Sequence, residues 1–267
     1  VVFDEPHTLT LTYSTPLRVT AVRVWEAANP AEGSGFVQRV DMREPSGASR
    51  HRTTFAARHY TDEAVSDETL YRILEHARFA PSGGNRQGWR VIVVRDQETR
   101  TGLKQLMRPT VQQYIAQVSA GEVSFNTIHP SAVPAETIAA TPSRFPLIDH
   151  LESAPVVLVV CVDLSQVTSF DAGLERVGVI SGASVYPFVW NILLAARGEG
   201  LGGVLTTFLA NAEDEARALL DLPEEFAVAS MVCLGKPGKQ LTRLSRKPVE
   251  DFARIDRWTG EPFGRTS

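Results

Sequence analysis

From Ser66 onward the apolar positions of this chain fall into helical and strand periods. Leu70, Ile73, Leu74 and Ala77 recur at helical spacing behind Ser66, Asp67 and Glu68. That opening is a hydroxyl N-cap followed by two acids, which the positive end of a helix dipole favours. Pro81 closes the helix, and Ser82-Gly83-Gly84-Asn85 reads as a loop. Residues 89–94 (WRVIVV) are too uniformly apolar for a half-exposed strand and predict a buried one. A second helix is predicted over 98–118, with Leu103, Leu106, Met107 and Val111 on one side. Residues 155–162 (PVVLVVCV) and 227–234 read as further buried strands, and 203–208 as a short one. Residues 181–197 are apolar almost all round, the pattern of a helix buried on every side, with Pro187 expected to kink it. Asn211, with Asp214 three residues on, predicts the cap of a helix that ends before Pro223.

Two stretches break these periods. Residues 119–153 are punctuated by Pro130, Pro134, Pro142 and Pro146, and a connection of that length is expected to be a lid, a binding loop or a mobile segment. Residues 1–45 form an atypical N-terminal extension: TLTLTYST alternates as a strand does, ANPAEGSGF is turn-rich, and the first methionine is Met42. Either the native start lies near Met42, or the segment is a β-rich extension. The expected organisation is this extension followed by one α+β domain over 46–267, because strands and helices mix without the strict alternation of a doubly wound sheet.

Composition narrows the partners. A chain of 267 residues, 43% hydrophobic and 22% charged, is long enough to bury a core without disulfide or metal staples. Lys and Arg number 27 against 31 Asp and Glu, so there is no basic excess to favour nucleic acid. No run of ~18 apolar residues predicts a membrane span, and no secretory n-region and h-region open the chain. A cytoplasmic location is the expectation. Cys161 and Cys233 each sit inside an apolar run without a CxxC neighbour, so both read as buried hydrophobes, not as a disulfide or metal ligands.

Gly198-Glu199-Gly200-Leu201-Gly202-Gly203 matches the letters GxGxxG, but a dinucleotide fingerprint needs a strand before it and a helix after it. Here a helix precedes and a strand follows, so the stretch reads as a glycine C-cap and turn. None of the six histidines pairs at metal-ligand spacing, and neither GxSxG nor a P-loop occurs. If the protein is an enzyme, its hard chemistry is expected from a bound cofactor, with no metal and no side-chain triad. Three segments have the make-up of an anion or cofactor cradle: Arg58-His59-Tyr60, the small-residue run 81–87, and Leu244-Ser245-Arg246-Lys247-Pro248. Small residues let backbone N–H groups approach a flat ring or a phosphate, and arginine grips phosphate oxygens in pairs.

Taken in order, these segments resemble the FMN-dependent nitroreductase family over about residues 52–255. Ala57-Arg58-His59-Tyr60-Thr61-Asp62-Glu63-Ala64-Val65 resembles the family's opening, an arginine-rich run leading into an aromatic, Thr-Asp-Glu and Val. Ala80-Pro81-Ser82-Gly83-Gly84-Asn85-Arg86-Gln87-Gly88-Trp89 is similar to its most specific stretch, Ala-Pro-Ser followed by Asn-x-Gln-x-Trp. Residues 182–203, with Asn191-Ile192-Leu193-Leu194-Ala195-Ala196 and Gly200-Leu201-Gly202, resemble its central helix and glycine turn.

The resemblance implies a nitroreductase-like α+β fold, a mixed sheet flanked by helices around a long buried central helix. It implies a homodimer with FMN at the subunit interface, one face of the central helix meeting the partner. The implied activity is an oxidoreductase in which NADH or NADPH reduces FMN, and electrons then pass to nitroaromatics, quinones or related small-molecule acceptors in ping-pong fashion. Flavin N5 carries the chemistry, so no side chain is expected to be catalytic. By the same resemblance, Arg58 lies by the flavin's polar side or ribityl chain. Pro81, Ser82 and Gly83 line FMN from the partner subunit, and Asn85 and Gln87 hold that loop or touch FMN. Thr206 and Thr207 belong to the strand whose backbone faces N5, Arg246 contacts the phosphate, and 119–153 takes the place of a variable substrate lid.

This chain departs from the family pattern at three places. Thr54-Phe55-Ala56 stands where the family has Arg-Arg-Ser, Gly88 stands for a proline, and Tyr186-Pro187-Phe188-Val189-Trp190 is bulkier than usual. These departures keep two alternatives in view: a specialised flavin reaction on the same fold, such as dehalogenation or enoate reduction, or a flavin-binding protein without turnover.

Overall fold

The computed structural model of the protein describes residues 57–238 and 246–264. The extension over 1–45, its TLTLTYST strand, the Met42 start and Thr54-Phe55-Ala56 lie outside the described residues. Four strands, β1 (Trp89–Val93), β2 (Val156–Asp163), β3 (Gly202–Thr206) and β4 (Phe226–Gly235), form one sheet in the order β1-β2-β4-β3. Every neighbouring pair is antiparallel. Among the described residues six α-helices accompany them: α1 (Asp67–Ala77), α2 (Gln97–Ser119), α3 (Ala135–Ala140), α4 (Pro146–Asp149), α5 (Tyr186–Gly198) and α6 (Glu213–Leu220).

Helices cover the sheet on both faces, and β2 shows why its sequence is an unbroken apolar run. Its Val156, Leu158, Val160 and Val162 meet Leu70 and Ile73 of α1 and Phe188 and Ile192 of α5. The alternate residues Val157, Val159 and Cys161 meet Leu103, Met107 and Val111 of α2 and Leu147 and Ile148 of α4. Two buried faces leave no position for a polar residue, and each fully buried valine contributes roughly 1.5–3 kcal/mol. The β2–β4 register shifts after Val160↔Ser230 to Cys161↔Val228, leaving Ala229 as a bulge. The Tyr186 hydroxyl, 3.2 Å away, donates to the Ala229 carbonyl there. Cys161 and Cys233 are buried free thiols, and burial pushes them up to about 11 and about 12 respectively.

Local signals hold where they are complete. Ser66 Oγ accepts from Thr69 N at the start of α1, and Asp96 caps α2 by accepting from Thr99 N. Gly200, at φ +82°, turns the chain after α5 into β3, so the glycine-rich stretch runs helix, turn, strand.

Five expectations are corrected. β1 is an edge strand among the described residues, not a buried one: Arg90 is exposed and residues 91–93 are half-buried, with β2 as the one described strand beside it. The helix expected over 181–197 begins at Tyr186, after a separate 3₁₀ turn at Ser181–Ser184. Pro187 therefore falls in the first turn, where its missing N–H removes no helical bond, and it does not kink the helix. Asn211 lies inside a 3₁₀ turn and caps nothing; α6 starts at Glu213, whose carboxylate accepts from Val228 N at 2.7 Å. α5 is not covered on every side within one chain, since Tyr186, Trp190 and Leu194 face outward at four-residue spacing.

The segment 119–153 is built, not slack. Gln117, itself buried, accepts from Phe125 N, and the Glu122 carboxylate accepts from Ser131 Oγ and Ala132 N. Helices α3 and α4 follow. Among the described residues no helix is long and apolar enough to cross a membrane.

Candidate functional site

The loop 81–87 is held by its own polar groups. Asn85 N donates to Ser82 O at 2.9 Å, Gln87 N to Ser82 Oγ at 3.0 Å, and Gln87 Nε2 to Asn85 Oδ1 at 3.2 Å. Gly84, Asn85 and Gln87 all take positive φ, near +60°, +52° and +53°. Glycine enters that region freely, and asparagine tolerates it because its short amide bonds locally. Gly88 is boxed in: a Cβ there would lie 2.9 Å from Gln166 Cβ. With Arg78 and Phe79 the loop walls an open cleft of 520 Å³. The Arg78 guanidinium lies 5.0 Å from the centroid of the Phe79 ring.

Arg58 is positioned from a different direction. Ala57 N donates to Gly203 O at 3.0 Å, and the Tyr60 hydroxyl lies 2.6 Å from Ala57 O and 2.9 Å from Cys233 O. Burial first, then the neighbouring Cys233 sulfur, pushes the Tyr60 phenol far above its ordinary range, so it stays a protonated strut. Arg58 itself lies over the Phe145 ring, 5.8 Å from its centroid. Phe145, Tyr114 and Phe208 meet edge to face, with centroids 5.3 to 5.9 Å apart. The Nε of Arg58 is buried and has no hydrogen-bond partner among the described residues. An orphaned donor on a guanidinium is costly unless something outside the fold accepts from it.

Thr206 ends β3, buried, with its Oγ1 accepting from Phe208 N at 3.3 Å; Thr207 follows it, exposed. Phe208 and Phe145 thus bring Thr206 and Thr207 to the same side as Arg58. His59 and His150 touch edge to face beside them, 4.8 Å between centroids. Arg246 opens the second described stretch as an exposed residue.

The candidate residues fall into two groups on opposite faces of the sheet. Arg58, Thr206 and Thr207 gather where Tyr60, Phe145 and Phe208 pack on the α2 side. Pro81, Ser82, Asn85 and Gln87 line the cleft, next to Ala80 and Trp89 of the α1–α5 core. Gly83 is not on the cleft wall; its N–H donates to Ser184 Oγ at 3.1 Å. Four residues here carry no sequence signal of a site: Tyr114 lies within a helical stretch, Phe145 in a stretch without a period, Phe208 at the end of an expected strand, and Ser184 in Ser-Gly-Ala-Ser with nothing to mark it.

The donor set suits a flat, anionic, polar-edged cofactor such as FMN. It offers an unpartnered guanidinium nitrogen, an aromatic floor, and a small-residue loop that admits close backbone approach. Among the described residues no cluster of three His, Cys, Asp or Glu is placed to hold a metal ion.

Comparison with known proteins gives a consistent picture. The family model described as "Nitroreductase family" matches residues 49–236. An Archaeoglobus fulgidus protein named as an NADH dehydrogenase/NAD(P)H nitroreductase is 30% identical over 189 residues, 69% of this chain and 82% of that protein. In fold, the chain is similar to the NADPH:FMN oxidoreductase of Vibrio harveyi complexed with NAD+. That likeness has a TM-score of 0.54 at 23% identity, over 78% of this chain and 75% of the other. It is similar also to an iodotyrosine deiodinase bound to FMN and 3-iodo-L-tyrosine, with a TM-score of 0.54 at 22% identity, over 76% of this chain and 95% of the other.

Proposed function

The chain belongs to the nitroreductase family, and we propose that it is an FMN-dependent oxidoreductase. In this reading it takes electrons from NADH or NADPH and passes them to a nitroaromatic, a quinone or a related small molecule. The observation that carries the proposal is the buried, unpartnered Nε of Arg58 above an aromatic floor. Among the described residues that nitrogen has no acceptor, and the polar side of a flavin seated against the guanidinium would supply one. When bound, FMN supplies two-electron uptake from a nicotinamide and release to an acceptor in separate half-reactions. The chain's own residues bind and orient it. Arg58 donates a charge-assisted hydrogen bond and favours negative charge near it. Tyr114, Phe145 and Phe208 exclude water from that side, and Thr206 and Thr207 present backbone at the end of β3. Arg246 is assigned to the phosphate. No side chain is given a catalytic role, and no metal is needed.

The working unit in this reading is a homodimer. One chain places Arg58 and the 81–87 loop on opposite faces of its sheet, so a complete site draws one half from each copy. The outward stripe Tyr186, Trp190 and Leu194 on α5 is the contact such a pairing would bury. Pro81, Ser82, Gly83, Asn85 and Gln87 then serve the partner's flavin. A cytoplasmic setting belongs to the same reading, since it keeps Cys161 and Cys233 as free thiols.

A visible absorption spectrum before and after anaerobic NADH or NADPH tests the proposal. Flavin bands that bleach on adding nicotinamide support it. Bands that persist favour a flavin-binding protein without turnover, and a protein that takes up no FMN on soaking overturns the assignment.

A second reading is favoured by one observation: the built segment 119–153 sets Phe145 directly against Arg58, so this chain shapes the polar side of its site with residues of its own. That suits a specialised flavin reaction such as dehalogenation or enoate reduction. Reduction of nitroaromatics and quinones no faster than by free FMN, alongside bleaching by a nicotinamide, would favour it.

A further inference from the structure

We propose that Ser184 is a positioning residue of the cofactor site, its hydroxyl fixing the 81–87 loop in the shape that receives the flavin. The inference rests on the FMN reading above and deepens it. Within the loop, Asn85 N, Arg86 N and Gln87 N all find acceptors on Ser82 or Gly83. Gly83 N finds its acceptor outside the loop, on Ser184 Oγ at 3.1 Å, 101 residues away in sequence. Ser184 is 7% exposed and closes the 3₁₀ turn at Ser181–Ser184. The next residue, Val185, is part of the α1–α5 core. The hydroxyl therefore joins the loop to the buried core of that face.

The rest of the 163–184 segment grips the loop on the same side. Arg86 Nη1 donates to Thr168 Oγ1 at 2.8 Å, and Asp163 N donates to Gly88 O at 2.8 Å. The loop is thus held at 83, 86 and 88. The Arg86–Thr168 bond is exposed and competes with water, whereas Ser184 offers a buried acceptor. Asn85 and Gln87 hold positive φ, a conformation that persists only when its surroundings over-determine it. Without the Ser184 hydroxyl, Gly83 N–H loses its acceptor and the loop gains freedom that flavin binding must remove.

The experiment compares wild type with Ser184→Ala and with the near-isosteric pair Ser184→Thr and Ser184→Val. Two readouts are taken: FMN titration by flavin fluorescence, and amide hydrogen exchange of residues 80–88 in the apo protein. For S184A the expected result is FMN affinity weaker by about fivefold, the effect of one net hydrogen bond. Exchange at 80–88 should accelerate by a similar factor while β2 and β4 exchange as in wild type. S184T, which keeps the hydroxyl, should stay close to wild type in both readouts, and S184V should follow S184A. The Thr and Val pair decides the matter if S184A fails to fold. Unchanged exchange at 80–88 in S184A and S184V overturns the proposal. So does tighter FMN binding by either, which would mean that the flavin itself claims the Gly83 N–H. If the wild type binds no FMN, the FMN reading fails, and the exchange data still report whether the tether exists.

Discussion

Arg58 Nε has no hydrogen-bond partner among the described residues, so in the proposed reading removing its side chain costs the empty fold little and the loaded site much. Arg58→Ala is expected to lower FMN affinity by roughly tenfold to a hundredfold, the range of one hydrogen bond to a charged group. The apo protein should lose no more than the ~0.5–1 kcal/mol of an aromatic contact. Fluorescence titration set beside thermal melting separates the two effects. Asp171 is the opposite kind of residue, a carboxylate saturated by its own loop. It accepts from Val179 N, Arg176 Nη1 and Ser169 Oγ, each at 2.8 Å. Those bonds, the Val179 amide first, hold its carboxyl well below the usual carboxylate range. A depressed native value means that its contribution is full above the ordinary Asp value near 3.9 and disappears as pH falls through the depressed one. Amide exchange should show Val179 still protected in wild type at pH 4, and unprotected at pH 7 in Asp171→Ala, which removes the acceptor.

Between elements, close approach replaces side-chain contact at Gly203. A Cβ there would lie 2.5 Å from Leu234 Cδ2, 2.8 Å from Leu193 Cδ2 and 3.0 Å from Cys233 O, because α5 packs directly over β3. Gly203→Ala is expected to destabilise the protein by about 1–3 kcal/mol, read as a lower urea midpoint with an unchanged slope. At this scale the sequence shows where its information runs out. α1 and α2 were legible because the cap and the apolar period are both local. β2 and β4 were legible because burial on two faces leaves an unbroken apolar run. The edge position of β1 was not, since Val91 and Ile92 look the same whether one strand or two will flank them. Nor was the start of α5: Pro187 marks a kink or a first turn depending on whether Ser181–Ser184 continues the helix, and tertiary packing decides that. Of the candidate site, the residue types in 81–87 and at Arg58 were legible. The aromatic floor was not, because Tyr114, Phe145 and Phe208 come from three separate segments that meet only in the folded chain.

For the whole molecule, the proposed division of the site between two copies would make assembly and cofactor binding one event. Trp190→Asp places a charge in the middle of the outward stripe of α5. It is expected to shift the protein to a monomer by light scattering and to strip its flavin in the same fraction, while the far-ultraviolet dichroism stays that of the wild type. A dimer that persists with full flavin would place the subunit contact elsewhere. The sheet order carries a consequence for synthesis as well. β1 precedes β2 in the chain, but the other edge of β2 pairs with β4, which lies beyond α5, β3 and α6. Until the ribosome has passed from Asp163 to Gly235, that apolar strand lacks its β4 partner and part of its covering helices. A nascent chain paused in that interval offers VVLVVCV to any neighbour with a free strand, so the tempo of translation through the second half of the message bears on how much of this protein reaches its native state.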